Sequence, residues 1–217
     1  MQEHLENFLS GLKEHLGNNL VSVVLYGSGA KDGHDPKKSD MNVMIVLNEV
    51  SLDPLSLAEK IILQGQRKAN IRPVFWTKGE LKSFADVFPV EFSGILKNHK
   101  VIYGSDPLRG IRVSTKNLRH QLEFELASKL LRLRTAWAEL RGDSYGLEVF
   151  LIQFGTSFAH LFQHAQKLLG KKLKPDLSLP FEACRRLKRK EIKLKRHELE
   201  RLYQEVHDAA TAVVKAL

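Results

Sequence analysis

Two short apolar runs, Leu20–Tyr26 and Met41–Leu47, constrain this chain more than any other feature. Each is rich in Val, Ile, Leu and Met with little polar relief, the pattern of a strand buried on both faces. Between them stand a Gly-Ser pair, Gly27-Ser28, and a polar loop through Lys38 that contains Pro36. Asp40 heads the second run and Asn42 follows it. A glycine turn lets backbone N–H groups approach an anion closely, and Ser28 adds a hydroxyl donor. Asp40 is a hard oxygen ligand of the kind Mg²⁺ prefers. Residues i and i+2 on a strand point to one side, so Asp40 and Asn42 share a face. The Asn42 amide brings an oxygen there but no charge.

The flanking sequence predicts alternating elements. A helix is expected over 2–16, with Leu5, Phe8, Leu9, Leu12 and Leu16 on one face, stopped by Gly17-Asn18-Asn19. Asp53-Pro54 opens a second helix through about Gln66, and 71–76 is a third strand. Thr77 and Glu80 have the spacing of a capping box. Short helices follow at 78–85 and 90–98, then a short strand at 100–103. After Pro107 the pattern becomes helical throughout. Leu118, Leu122, Leu126, Leu130, Leu133, Trp137 and Leu140 form one stripe, ended by Gly142. Asp143 or Ser144 caps a helix that stops at Gly170, and a linker at 175–180 leads into a helix over 181–215. The expected fold is therefore α+β: a small mixed α/β domain at 1–107 followed by an all-α helical bundle at 108–217.

Charge divides the chain the same way. Residues 1–110 hold 13 Lys+Arg and 13 Asp+Glu, so the whole net charge of +9 lies beyond them. That asymmetry points to an anionic neighbour for the second half. Its densest part, 185–196, has eight basic residues and one acid, without the aromatic residues that stack on bases. A solvated helix face is favoured there over a nucleic-acid contact. The apolar runs are strand-sized, so no membrane span is expected. The polar, acidic N-terminal residues do not read as a signal peptide, and a lone cysteine, Cys184, fits a reducing cytoplasmic compartment.

Gly27-Ser28, eleven intervening residues (29 to 39) and Asp40-Met41-Asn42 together resemble the signature of the DNA polymerase beta-like nucleotidyltransferases. The segments 73–81, 86–92, 101–107 and 118–126 are similar to bacterial nucleotidyltransferase-domain proteins with a helical C-terminal half. The resemblance implies a nucleotidyltransferase-like mixed sheet with flanking helices. It also implies binding of a nucleoside triphosphate through Gly27 and Ser28, with Asp40 and Asn42 as catalytic metal ligands for Mg²⁺. The acceptor of the transferred nucleotide is unknown, and a homodimer stays open. In related antibiotic-modifying enzymes the helical domain can supply a base, for which Glu123, Glu125 and Glu148 are the acids to consider.

The chain departs from the family pattern in two places. Asn42 stands where a second carboxylate is usual, and the third strand has no acid but carries Arg72. Glu80 is the nearest following acid, and Glu80 and Glu91 are the ones to test as substitutes. Two functions remain open: a nucleotidyltransferase with a partly degenerate metal site, or a catalytically inactive nucleotide-binding or interaction module that uses its basic helical half. Three other patterns carry less. Gly27-x-Gly29 lacks the third glycine and the helix of a dinucleotide fingerprint. His160 and His164 have i, i+4 zinc spacing but no third ligand. Arg201 and His207 match only the loose spacing of ribonuclease HEPN domains.

Overall fold

The computed structural model describes residues 2–30, 40–170 and 173–217, so the polar loop expected up to Lys38, with Pro36, lies beyond the described residues after Ala30. The chain divides into two compact units, Met1–Ser114 and Thr115–Leu217.

In the first unit, helix α1 (Gln2–Leu16) leads to strands β1 (Leu20–Tyr26) and β2 (Met41–Leu47). Helices α2 (Leu52–Leu57) and α3 (Glu59–Ala69) precede β3 (Ile71–Thr77). Helices α4 (Lys78–Phe84) and α5 (Pro89–Lys97) precede β4 (His99–Gly104). The strands form one sheet in the order β3-β2-β1-β4. β1 is antiparallel to β2 and to β4, while β2 runs parallel to β3, so the sheet is mixed.

Side-chain alternation sends Val23, Leu25, Met41, Val43, Ile45, Leu47 and Ile71 into one apolar layer with Phe8 and Leu12 of α1 and Ala69 of α3. Val24, Met44 and Val46 enter the opposite layer with Leu81 of α4 and Phe92 and Ile95 of α5. Both central strands are thus covered on two faces, which is why their sequences read as continuous apolar runs. Leu108, Ile111 and Val113 pack into that second layer, and so the first unit runs on past Pro107.

Local chemistry sets the element ends. Glu80 N donates to Thr77 Oγ1 at 3.2 Å and Thr77 N donates to Glu80 Oε2 at 2.7 Å, closing the capping box its spacing predicts. The helix expected over 53–66 is two helices. The chain turns at Ala58, whose N–H donates to both Pro54 O and Leu55 O, and α3 continues to the left-handed Asn70 (φ 50°). Where β1 meets the end of β4, the buried Ser22 hydroxyl lies 2.9 Å from Tyr103 O and 2.8 Å from Ser105 O. Gly104 beside it has φ 74°, and a Cβ there would overlap the Val21 carbonyl oxygen.

The second unit is helical: α6 (Thr115–Leu140), α7 (Ser144–Leu169), α8 (Leu179–Lys188) and α9 (Arg196–Ala216). Asp143 caps α7, its carboxylate accepting from Tyr145 N at 3.1 Å. Phe158 of α7 stacks on Phe181 of α8 with ring centroids 4.6 Å apart. Gly155 lets Cys184 of α8 approach so closely that a Cβ would overlap it. Burial pushes the Cys184 thiol up to about 12. The single helix expected over 181–215 is broken between α8 and α9. Lys190 adopts a left-handed φ of 59°, and the Glu191 carboxylate gathers Arg189 at 2.7 Å and Arg186 at 3.8 Å. Successive like charges there offer a continuous helix little support.

Gly104→Ala should lower the unfolding free energy by about 2 kcal/mol or more in urea titration, because strained φ and steric overlap add. Cys184, buried and held as a thiol, should resist a thiol-reactive dye in the folded protein and react fully in denaturant. Rapid labelling of the native protein would contradict the packing described for α7 and α8.

Candidate active site

The chemistry-bearing residues collect at one end of the sheet, in a row that crosses all four strands. Register pairs His99 of β4 with Tyr26 of β1, Tyr26 with Asn42 of β2, and Asn42 with Arg72 of β3. By strand alternation these four side chains share a face with Val24, Met44 and Val101, the face covered by α4 and α5. Asp40, just before β2, has the same parity as Asn42.

The Gly-Ser turn closes over this row. Residues Gly27–Ala30 form one 3₁₀ turn directly after β1. Gly27 has φ 68°, a left-handed conformation that suits glycine, and its N–H donates to Asn98 O at 3.0 Å. A Cβ on Gly27 would lie 3.5 Å from Asn42 Nδ2, and one on Gly29 would lie 3.4 Å from Met41 Cγ. The turn therefore lies against the start of β2, and the Ser28 side chain is exposed. Gly27 and Asn42 are thus neighbours in space, with Ser28 next to Gly27 and Asp40 two residues before Asn42.

Arg72 enters this group as well. Its Nε lies 3.7 Å from Asp40 Oδ1, and the two side chains are 56% and 53% exposed. Sequence reasoning singled out Arg72 as a charge of the wrong sign for a metal ligand; pairing with Asp40 needed the parallel β2–β3 register, which no local motif encodes. His99 was missed altogether. Its Nε2 lies 3.5 Å from Asp106 Oδ2, and only the β1–β4 register places it opposite Tyr26. Burial raises the Tyr26 phenol above its usual value.

The acids proposed as substitutes are placed elsewhere. Glu80 is engaged in the capping box at the far end of β3, roughly 17 Å along the strand from Arg72 at about 3.3 Å per residue. Glu91 is exposed in the first turn of α5. Among the described residues, no group of three or more His, Cys, Asp or Glu side chains is arranged to hold a metal ion. Asp40 and Asn42 do match the sparse protein ligation Mg²⁺ accepts when a nucleotide's phosphates supply the other oxygens. Among the described residues, the position paired with Asn42 on β3 is a cation, Arg72.

The remaining candidates have local partners. Glu123 lies 3.6 Å from Arg119, and Glu125 accepts from Gln121 at 2.7 Å. Glu148 is half-buried in α7. In α7 His164 is buried while His160 is exposed, with ring centroids 5.0 Å apart in an edge contact. In the basic segment, Arg185 and Arg189 pair with Glu182, Arg186 with Glu191, and Arg196 with Glu200. Arg201 pairs with Glu205 at 3.5 Å, and Arg134 Nε lies 3.5 Å from His207 Nε2. No helix among the described residues is long and apolar enough to cross a membrane.

No family model matches the chain. It is 28% identical over 107 residues to a protein of Methanocaldococcus jannaschii named as a candidate protein adenylyltransferase. That match covers 47% of this chain and 71% of the relative. Among solved structures, it is similar to the spectinomycin adenyltransferase of Enterococcus faecialis, determined with ATP and spectinomycin. The TM-score is 0.54 at 12% identity, covering 98% of this chain and 99% of that one, a likeness of fold.

Tyr26 yields a prediction in alkaline solution. An unfolded tyrosine ionises near 10, and the folded phenol ionises higher, so the stability it contributes is complete below about 10. That stability is lost as pH rises through the folded value. Tyr26→Phe should therefore lose stability less steeply than wild type across this alkaline window in denaturant titrations.

Proposed function

We propose that the chain is a nucleotidyltransferase that binds a nucleoside triphosphate at the Gly27–Ala30 turn and transfers its nucleoside monophosphate to an acceptor, a reading supported by its similarity to a candidate adenylyltransferase and by its adenyltransferase-like fold. The observation that carries this reading is the closure of the glycine turn over Asn42, next to Asp40, on one face of the sheet. ATP is the nucleotide to test first, since both similar proteins are named for adenylyl transfer.

In the transfer, an acceptor oxygen attacks the α-phosphorus while the bond to the α–β bridging oxygen breaks. Pyrophosphate leaves with that electron pair, and the acceptor's proton passes to a base or to solvent. The protein's share is positioning and charge neutralisation. Gly27, its own N–H held by Asn98 O, would shape the turn so that the backbone N–H groups after it face the phosphates, with the Ser28 hydroxyl beside them. Asp40, with the amide oxygen of Asn42, would hold Mg²⁺. When bound, the ion would neutralise phosphate charge and align the leaving group.

Calorimetry with ATP, with and without Mg²⁺, tests this directly. Mg²⁺ is expected to tighten ATP binding, and Asp40→Ala should remove that increment, at least about ten-fold for one charged ligand. Binding indifferent to Mg²⁺ and to Asp40 would reject the catalytic reading in favour of a non-catalytic nucleotide module. An absence of binding would reject the nucleotide site altogether.

A further inference from the structure

We propose that Arg72 supplies the positive charge that a second metal ion would otherwise bring, its guanidinium contacting the phosphates of a bound nucleoside triphosphate. This rests on the reading of Gly27–Ala30 and Asp40 as a nucleotide site. It goes further in making part of the triphosphate binding independent of any divalent cation.

Position is the first argument. Arg72 is in parallel register with Asn42 and 3.7 Å from Asp40, so it occupies the same face and the same end of the sheet as the candidate ligands. Among the described residues of the row nothing else could play the part: Tyr26 is an uncharged phenol pushed towards staying neutral, and His99, on the opposite edge strand, faces Asp106.

Charge is the second argument. A site with several carboxylates is anionic and repels a triphosphate until dications neutralise it. Here Asp40 contributes one negative charge, Asn42 none and Arg72 one positive charge, so these three side chains together are near neutral. A second dication would meet the Arg72 guanidinium and, among the described residues of the row, find no carboxylate of its own.

Reach and chemistry complete the case. The Arg72 side chain is more than half exposed, and β3 is an edge strand, which leaves the guanidinium room to swing to a ligand. Its planar fork of donors matches phosphate oxygens bidentately, a geometry that a lysine ammonium does not reproduce. An arginine–phosphate contact is made by the side chain itself and so needs no metal ion.

Calorimetry with ATP in EDTA and in Mg²⁺ separates the possibilities, using wild type, Arg72→Ala and Arg72→Lys. Circular dichroism and thermal melting would check that each variant is folded. Wild type should bind ATP in EDTA, more weakly than with Mg²⁺. Arg72→Ala should weaken the EDTA affinity at least about ten-fold, the scale of one charge-assisted contact, and Arg72→Lys should restore only part of it. Wild-type binding that requires Mg²⁺ absolutely, or an Arg72→Ala affinity equal to wild type in EDTA, would overturn the role of Arg72 and leave the nucleotide site standing. No ATP binding by wild type under either condition would overturn both.

Discussion

Tyr26 and Asn42 face each other at the end of the β1–β2 ladder where the chain passes from β1 to β2, and the rest of the first unit is arranged around that pairing. The ladder fixes which residues of β2 look towards α1 and α3 and which look towards α4 and α5, since a one-residue slip would exchange the faces. In this register every odd position from Met41 to Leu47 enters one apolar layer, and Met44 and Val46 enter the other. The same register leaves Asn42 as the one polar side chain of β2, beside the turn that ends β1. Burial of the strand centres thus holds the polar end in place, because shifting Asn42 would mean shifting two hydrophobic layers.

The elements that local patterning encodes were legible in the sequence. Continuous apolar runs marked β1 and β2, helical stripes marked α1 and α6, and the Thr77–Glu80 capping box marked the start of α4. Breaks within helical patterns were harder to read. Ala58 is an ordinary helix former, and only its burial and the tightened hydrogen bonding around it separate α2 from α3. The break at 189–195 depends on Lys190 in a left-handed conformation and on Glu191 drawing two arginines back towards α8, neither of which has a periodic signature.

The candidate site divides along the same line. Gly27, Ser28, Asp40 and Asn42 are close in sequence and joined through one strand pairing, so their grouping followed from order alone. Arg72 and His99 arrive from β3 and β4, through a parallel crossover and a second antiparallel pairing. Those contacts depend on register between strands far apart in the chain. Reading residue types strand by strand recorded Arg72 as the loss of a carboxylate. Reading across the sheet makes it the partner of Asp40.

The exposure of that partnership bears on what it is for. An ion pair with both side chains more than half exposed contributes about 0–1 kcal/mol to folding, so the fold does not depend on it. The same small energy means that Arg72 can leave Asp40 at little cost when a stronger anion arrives. A phosphate oxygen pair offers the guanidinium a bidentate contact, and departure of Arg72 would return the Asp40 oxygens to a metal ion. In the proposed site, one residue exchange would then couple phosphate capture to metal ligation, the triphosphate drawing the arginine away from an aspartate that is already half exposed.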